Sequence, residues 1–429
     1  KGTTTRTPLF YAVEKKNYDI VELLLKQPEI DVNYQSRIYD IDELMNTICD
    51  RFGYKEYIYE TAKDEKLIKN SDQEPLSLAF EQGNDKIIDL LLNNPNIELD
   101  LDYFLPIVVH KGKIKTIQVL LDKGLIGIND VVIQDQTLLH YAIQEGEKEI
   151  VKFLLNNPKI EINKANSKGD TPLFLAIEYE LADIVEILLK HPKIDVNLHR
   201  NSKSPLHFAI ENRYDEITYL LLKSQEIDVN RRTSNGESPL YLAVNNEDIA
   251  LVKTLLKNPD IDVNIQTNSG EAALHLAIEK ENEEIVNLLL RNPEINVNIN
   301  TNAEKLPLQI AFSNKNDNII DLLLKRPEID TNIILEDLNT PLNRSIEEEN
   351  IGRIKILLSN DNTDVNKLGG ELAVLSNNTT IFELLMKQPD IVFDIYTIIG
   401  DNMTTDQAKM LFIAFREKNL FMSNFLIIE

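Results

Sequence analysis

The 429-residue sequence predicts an all-α solenoid, a stack of about 12 helix-turn-helix layers with short β-turn or hairpin fingers between them. Three observations carry the prediction. One block of residues recurs at a fixed spacing, each copy holds two apolar stripes with helical period, and the prolines fall almost entirely between the stripes.

Residues 171–197 show the unit at its clearest. Pro172 suits the first turn of a helix, where its missing N–H would have no partner anyway. Leu173, Ala176 and Ile177 fall at helical spacing, as do Ile184, Val185, Leu188 and Leu189 in a second helix. Pro192 ends that helix, and Asp195-Val196-Asn197 reads as extended chain. Such a unit cannot bury its own apolar faces and needs neighbours like itself.

The chain supplies them. The small residue Ala176 recurs as Ala142, Ala209, Ala243, Ala277 and Ala311, and Ser345 follows, at steps of 34, 33, 34, 34, 34 and 34 residues. A constant step of this size means a stacked array. The openers Thr7-Pro8-Leu9, Thr137-Leu138-Leu139-His140, Thr171-Pro172-Leu173, Ser204-Pro205-Leu206-His207 and Thr340-Pro341-Leu342 resemble the Thr-Pro-Leu-His-x-Ala signature of the ankyrin repeat, a turn followed by two helices. One departure is regular. Where most ankyrin repeats leave the second helix through a Gly-Ala turn, this chain uses Asn-Pro-x-Ile-Asp-Val-Asn, as at 258–264, one residue longer. That lengthens the outer loop and leaves the helix stack intact.

Proline placement tests the register. Of 16 prolines, seven open a repeat and eight follow a second helix; Pro106 alone falls outside. A random placement would put many inside helices, at about 3 kcal/mol each. Along the chain, residues 1–33 form a first repeat. Residues 34–73 thread as one degenerate repeat with an insertion, with Cys49 at the small-residue position and Gly53 at the inter-helix turn. Residues 74–366 form the regular array, in which the unit around Val108 requires a shortened finger. Residues 367–429 form degenerate terminal repeats, with Ala373 and Ala414 at small positions and an apolar end, Phe421, Phe425, Leu426, Ile427 and Ile428. That end is expected to be covered, by an assembly contact or by further chain. The opening at Lys1, already near a repeat signature, fits a window on a longer protein. The degenerate stretches are expected to be the weakest points of the stack.

Composition bounds the function. A net charge of −25 argues against non-specific nucleic-acid binding, which needs a positive field. One cysteine excludes an internal disulfide framework and favours a cytoplasmic location. No apolar run approaches membrane-spanning length, so direct membrane insertion is not expected.

No constellation of residues points to catalysis. His140, His207 and His275 occupy the signature position where other layers carry Phe10, Phe174, Tyr241, Gln309 or Asn343; the resemblance implies a structural role, tying neighbouring turns. His110, His191 and His199 have no partner at metal-ligand spacing. The carboxylates lie mostly at inter-helix turns, and the 14 glycines build no phosphate loop. No enzyme activity, metal or cofactor is expected. The Asn that closes each unit (Asn33, Asn163, Asn197, Asn230, Asn264, Asn298, Asn332, Asn366) is suited to setting a turn through its own backbone; the resemblance adds that such an Asn can be a hydroxylation substrate.

The resemblance further implies a non-catalytic scaffold that binds protein partners through a concave face of fingers and first helices. The family's variable positions fall on Ser167, Lys168, Asp170, Arg200, Asn201, Lys203, Ser234, Asn235, Glu237, Asn268, Ser269 and Glu271 in the fingers. In the first helices they fall on Glu178, Tyr179, Glu211, Asn212, Asn245, Asn246, Glu279 and Lys280. The most distinctive group is basic. His199, Arg200 and Lys203 on one finger neighbour Arg231 and Arg232 at the root of the next, a candidate anchor for an acidic segment, with a solvated loop of mixed charge as the plainer reading. Arg200→Glu with Arg232→Glu is expected to spare the fold. The alternatives are a structural component of a cytoskeletal or membrane-associated assembly, or the ankyrin region of a longer enzyme or channel.

Overall fold

A computed structural model describes residues 7–33, 74–97, 101–133, 135–367, 378–388 and 409. The chain divides into two units, residues 1–200 with 219–225, and residues 201–218 with 226–429. Each is a run of stacked helix pairs. The first unit holds Pro8–Glu14 and Tyr18–Leu25, Pro75–Glu81 and Asp85–Leu92, Leu101–His110 and Ile114–Asp122, Leu138–Gln144 and Lys148–Leu155, and Pro172–Glu178 and Ala182–Leu189. The second holds Pro205–Glu211, Pro239–Asn245 and Ile249–Leu255, Ala273–Glu279 and Glu283–Leu290, Pro307–Asn314 and Asp317–Leu324, Pro341–Glu347 and Ile351–Leu358, and the single helix Thr379–Met386. The unit boundary passes through the helix Asp215–Leu222.

Local chemistry sets these boundaries. Thr7, Thr137, Thr171, Ser204, Ser238 and Thr340 each accept, through the side-chain hydroxyl, the N–H three residues on, and Pro follows at the first helical position in all but one. Most second helices start on Asn or Asp caps (Asn17, Asn84, Asp248, Asn282, Asn316, Asn350 and Asn378), while Lys113, Glu147 and Leu181 open theirs without a side-chain cap. The turn between helices needs one left-handed residue. Gly83, Gly112 and Gly146 supply it, but so do Glu180, Arg213, Glu247, Glu281 and Glu349. The cost of a non-glycine there is about 1 kcal/mol, and short buried helices on both sides absorb it.

Packing follows the period. Val108, Ala142, Ala176, Ala209, Ala243, Ala277, Ala311 and Ser345 are all fully buried, because a small side chain lets first helices of successive layers approach. Within the first unit, first helix stacks on first helix and second on second. The pair at 8–25 docks directly on the pair at 75–92, and Asn33 donates its side-chain amide to the Asn96 carbonyl at 2.7 Å. The degenerate repeat threaded through residues 34–73, with Cys49 and Gly53, lies outside the described residues. So do Ala373, Ala414 and the apolar residues 421–428. Eight residues separate Leu92 from Leu101, against sixteen between Leu155 and Pro172, so the finger ahead of Val108 is indeed shortened. The helix starts early instead, and Pro106 sits inside it.

The recurrent Asp-Val-Asn has a fuller role than a local turn. The Asp carboxylate accepts the Asn N–H two residues on, as Asp195 does for Asn197 at 2.9 Å and Asp262 for Asn264 at 2.9 Å. The Asn side chain reaches across to the next layer. Asn163 donates to the Lys193 carbonyl at 2.8 Å and accepts Asp195 N–H at 3.0 Å. Asn264 donates to the Glu294 carbonyl at 2.7 Å and accepts Asn296 N–H at 2.8 Å. Asn129, Asn230, Asn298 and Asn332 repeat the pattern. The intervening Val side chains (Val196, Val229, Val263, Val297) are buried. The loops at 228–230, 262–264 and 296–298 are thus each pinned by one buried Val and one two-bond amide bridge.

Candidate functional site

Stacking uses up the buried positions; among the exposed ones, the residues singled out from the sequence lie in the fingers and on the first helices. The fingers share one turn. In the second unit Thr233, Thr267, Thr301 and Leu335 each donate N–H to the carbonyl four residues on, and the fourth residue of each turn returns its N–H to the first. That fourth residue is left-handed: Gly236 (φ +83°), Gly270 (+82°), Glu304 (+59°) and Leu338 (+68°). Among the described residues, true strand pairing is limited to Val131–Ile133 with Gln136–Thr137 and one bridge, Gln266 to Ala272.

The fingers are laced together. Asn268 N–H donates to the Asn235 carbonyl at 2.8 Å and Asn302 N–H to the Ser269 carbonyl at 3.0 Å. The Asn268 and Asn302 side chains add bonds to Ser234 and Asn268 carbonyls at 2.7 and 2.8 Å. A Cβ on Gly236 or Gly270 would meet the next finger's backbone nitrogen at 2.7 or 2.4 Å, so both close approach and positive φ demand glycine there. Below the fingers, the signature histidines bind from layer to layer. His140, His207 and His275 donate Nε2–H to the carbonyls of Asp170, Arg231 and Ile299 at 3.0, 2.9 and 2.9 Å. The Nδ1 of His207 and of His275 accepts backbone N–H, so these rings are neutral. Burial pushes all three below the ordinary histidine range. This is the tying role the resemblance implied. Gln309 performs it in its own layer, accepting Leu306 N–H at 2.8 Å and donating to the Ile334 carbonyl at 2.7 Å.

In the first unit, Arg200 grips the layer before it. Its guanidinium donates to Asp170 and to both oxygens of Glu178, at 3.0 and 3.1 Å, and lies 4.4 Å from the Phe174 ring centre. The Glu178 bonds, ahead of the Asp170 carboxylate, hold it more firmly protonated. Arg200 is therefore a structural bridge, and the expectation that Arg200→Glu spares the fold does not survive. The change would face a new carboxylate against Asp170, which is buried, and Glu178. Tyr179 caps the first helix and is 47% exposed.

In the second unit, Lys203 pairs with Glu211 at 2.5 Å. Arg232 donates to the Gly236 carbonyl at 3.2 Å and to Asn268 Oδ1 at 3.1 Å. Arg231 contributes its carbonyl to His207. The basic residues are thus set among acceptors. Asn201 is exposed at a left-handed turn position (φ +50°). Asn212 is exposed and caps its own helix through the Phe208 carbonyl at 2.8 Å. Asn246 donates to the Ile210 carbonyl of the preceding layer at 2.8 Å, while Asn245 is exposed. Tyr241 donates its hydroxyl to Glu271 at 2.8 Å. Burial, then Glu271, raises the Tyr241 hydroxyl pKa and that of the neighbouring Glu279.

Sequence reasoning missed the finger of residues 333–339. Leu338 is 76% exposed, the most of any large apolar side chain among the described residues, and Ile334 on the same finger is 38% exposed. A Leu held left-handed costs about 1–2 kcal/mol. The available signal was its position, that of Gly169, Gly236 and Gly270 in other layers.

Among the described residues, no group of three or more His, Cys, Asp or Glu is placed to hold a metal, and no helix is long and apolar enough to cross a membrane. The family model for "Ankyrin repeats (3 copies)" matches residues 76–166, 158–233 and 206–301, and that for "Ankyrin repeat" matches 5–37, together more than half of the 429 residues. No curated protein matches the chain. Among solved structures, the chain is similar to the ankyrin repeat domain of Bcl-3, a member of the IkappaB protein family, at 26% identity over 51% of this chain and 96% of that one, with a TM-score of 0.46. It is also similar to an ankyrin repeat domain from Acinetobacter baumannii AYE, at 28% identity over 43% of this chain and 95% of that one, TM-score 0.40.

Proposed function

Because the chain belongs to the ankyrin-repeat family, whose repeats generally mediate protein–protein interaction, we propose that it is a non-catalytic scaffold binding protein partners through the finger and first-helix face of its units. The observation that carries this reading is the division of labour within each layer. The small residues and the loop Val are buried and alike from layer to layer, whereas the solvent-reaching position three residues after each small residue changes (Tyr179 in the first unit; Asn212, Lys280 and Glu348 in the second). Laced fingers give such a face a fixed shape, which lowers the ordering cost of binding. The net charge of −25 favours partners that are basic where they touch, and disfavours nucleic acid. A cytoplasmic setting fits the single cysteine.

The test is affinity capture with quantitative mass spectrometry, using the full chain and the exposed-site variants Tyr179→Arg, Asn212→Arg and Asn245→Arg. The expected result is loss of a defined set of proteins from at least one variant at unchanged thermal stability. Capture of every protein unaltered by all three would sink the face assignment.

A further inference from the structure

We propose that the finger of residues 333–339 is a docking point for a basic peptide segment carrying an aliphatic or aromatic anchor, seated on Leu338 and Ile334. The inference rests on the scaffold reading and names a part of that face and the chemistry of what binds it.

Two independent features converge on this finger. The first is apolar surface held outward against its own preference. Leu338 stands at the left-handed position (φ +68°) that glycine fills in the fingers around Gly169, Gly236 and Gly270, and its side chain is 76% exposed, with Ile334 also open. Glycine would relieve the backbone and remove the exposed surface together, so the fold gains nothing from leucine here. Strained backbone coinciding with exposed apolar surface points to use in recognition.

The second is charge. Glu304, Glu336, Asp337, Glu347 and Glu348 are exposed around the finger. Three cations answer them and are themselves engaged: Lys305 with Glu336 at 3.8 Å, Arg344 with Asp337 at 3.1 Å and with Glu347 and Glu348 at 3.5 Å, and the buried Arg353 with Glu348 at 2.9 Å. Five carboxylates against three cations, one of them buried, leave an acidic rim about an aliphatic tip, the complement of a lysine- or arginine-bearing segment with an apolar side chain at its centre. The geometry is also prepared. Leu335 donates to the Asn339 carbonyl at 2.8 Å, Leu338 returns a bond to the Leu335 carbonyl at 3.0 Å, and Asp337 accepts Asn339 N–H at 3.1 Å, so the tip is a closed turn.

The test is selection of a random dodecapeptide library on the full-length protein, followed by fluorescence-anisotropy titration of the enriched peptides against wild type, Leu338→Gly and Glu336→Lys. The expected peptides contain two or more Lys or Arg flanking Leu, Ile or Phe. Leu338→Gly should weaken them at least tenfold while raising the thermal midpoint, since strain is relieved, and Glu336→Lys should weaken them three- to tenfold at low salt and less at high salt. Peptides that bind wild type and Leu338→Gly equally would overturn the assignment of this finger and leave the scaffold reading standing. Enrichment of acidic peptides on the same finger would overturn the stated chemistry. Failure to enrich any peptide would overturn the docking proposal, whereas the scaffold reading stands or falls on the affinity capture.

Discussion

Arg353 is the sharpest test of how these layers are held together. It is the third residue of the helix Ile351–Leu358, a position taken by Ile87, Ile150, Ile184, Ile217, Leu251, Ile285 and Ile319 in other layers, and it is 1% exposed. Its guanidinium lies 5.5 Å from the Phe312 ring centre. It donates to Asp317, to Asp321 at 3.4 Å and to Glu348 at 2.9 Å. The three carboxylates stay hydrated, with side chains 72, 38 and 43% exposed, so they lose little when the cation goes: about 0.2–1 kcal/mol for each exposed pair. The guanidinium, by contrast, carries a desolvation cost of several kcal/mol. An Ile in its place regains about 1.5–3 kcal/mol of apolar burial. Arg353→Ile should therefore be neutral or stabilise by about 1–3 kcal/mol. Arg353→Ala keeps neither term and opens a cavity beside Phe312, so it should destabilise by about 2–4 kcal/mol. Equilibrium urea unfolding of the full chain, with hydrogen exchange followed over residues 317–358, measures both, because stability in a stacked array is local. If Arg353→Ile loses more than about 1 kcal/mol, the ion cluster is a net stabiliser and the reasoning fails.

Three further outcomes follow from the bridges. His140, His207 and His275 have folded-state pKa values below the unfolded value of about 6.5, so the unfolded chain binds more protons as pH falls. Their contribution is complete above that pH and is lost progressively below it; the triple change to Gln, the residue that makes the same bridge at Gln309, should flatten thermal stability between pH 7 and pH 5, and an unchanged acid limb would refute the assignment. Asn264→Ala removes two interlayer bonds and should cost about 1–2 kcal/mol, with faster exchange of the Asn296 amide, whereas Asn245→Ala should be within about 0.5 kcal/mol of wild type. Asn343 occupies the signature position fully buried, with both side-chain amide atoms unpartnered; Asn343→His can meet Thr340 as His140 meets Thr137 at 2.7 Å and should stabilise by about 1 kcal/mol, while a drop in the urea midpoint would count against it.

The stack itself was legible because its determinants are local and repeat. A constant step, proline at helix starts and ends, and a small residue at each crossing leave one way to bury the stripes, and those signals survive translation from one layer to the next. Charge was legible only as a total. Nothing in the order of residues shows that Arg200 turns back onto Asp170 and Glu178, because those partners lie 30 and 22 positions away and meet it only once two layers are stacked. The same holds for Asn264, whose bonds run to residues 30 and 32 positions on. The direct docking of the pair at 8–25 on the pair at 75–92 was hidden for a related reason: periodicity counts residues along the chain, and stacking counts neighbours in space. The sequence by itself thus determined the family, the layer and its buried positions, which depend on spacing within one unit. Tertiary structure decided which polar side chains are spent between layers and which stand outward, as Leu338 does, because that outcome depends on what the adjoining layer presents to each of them.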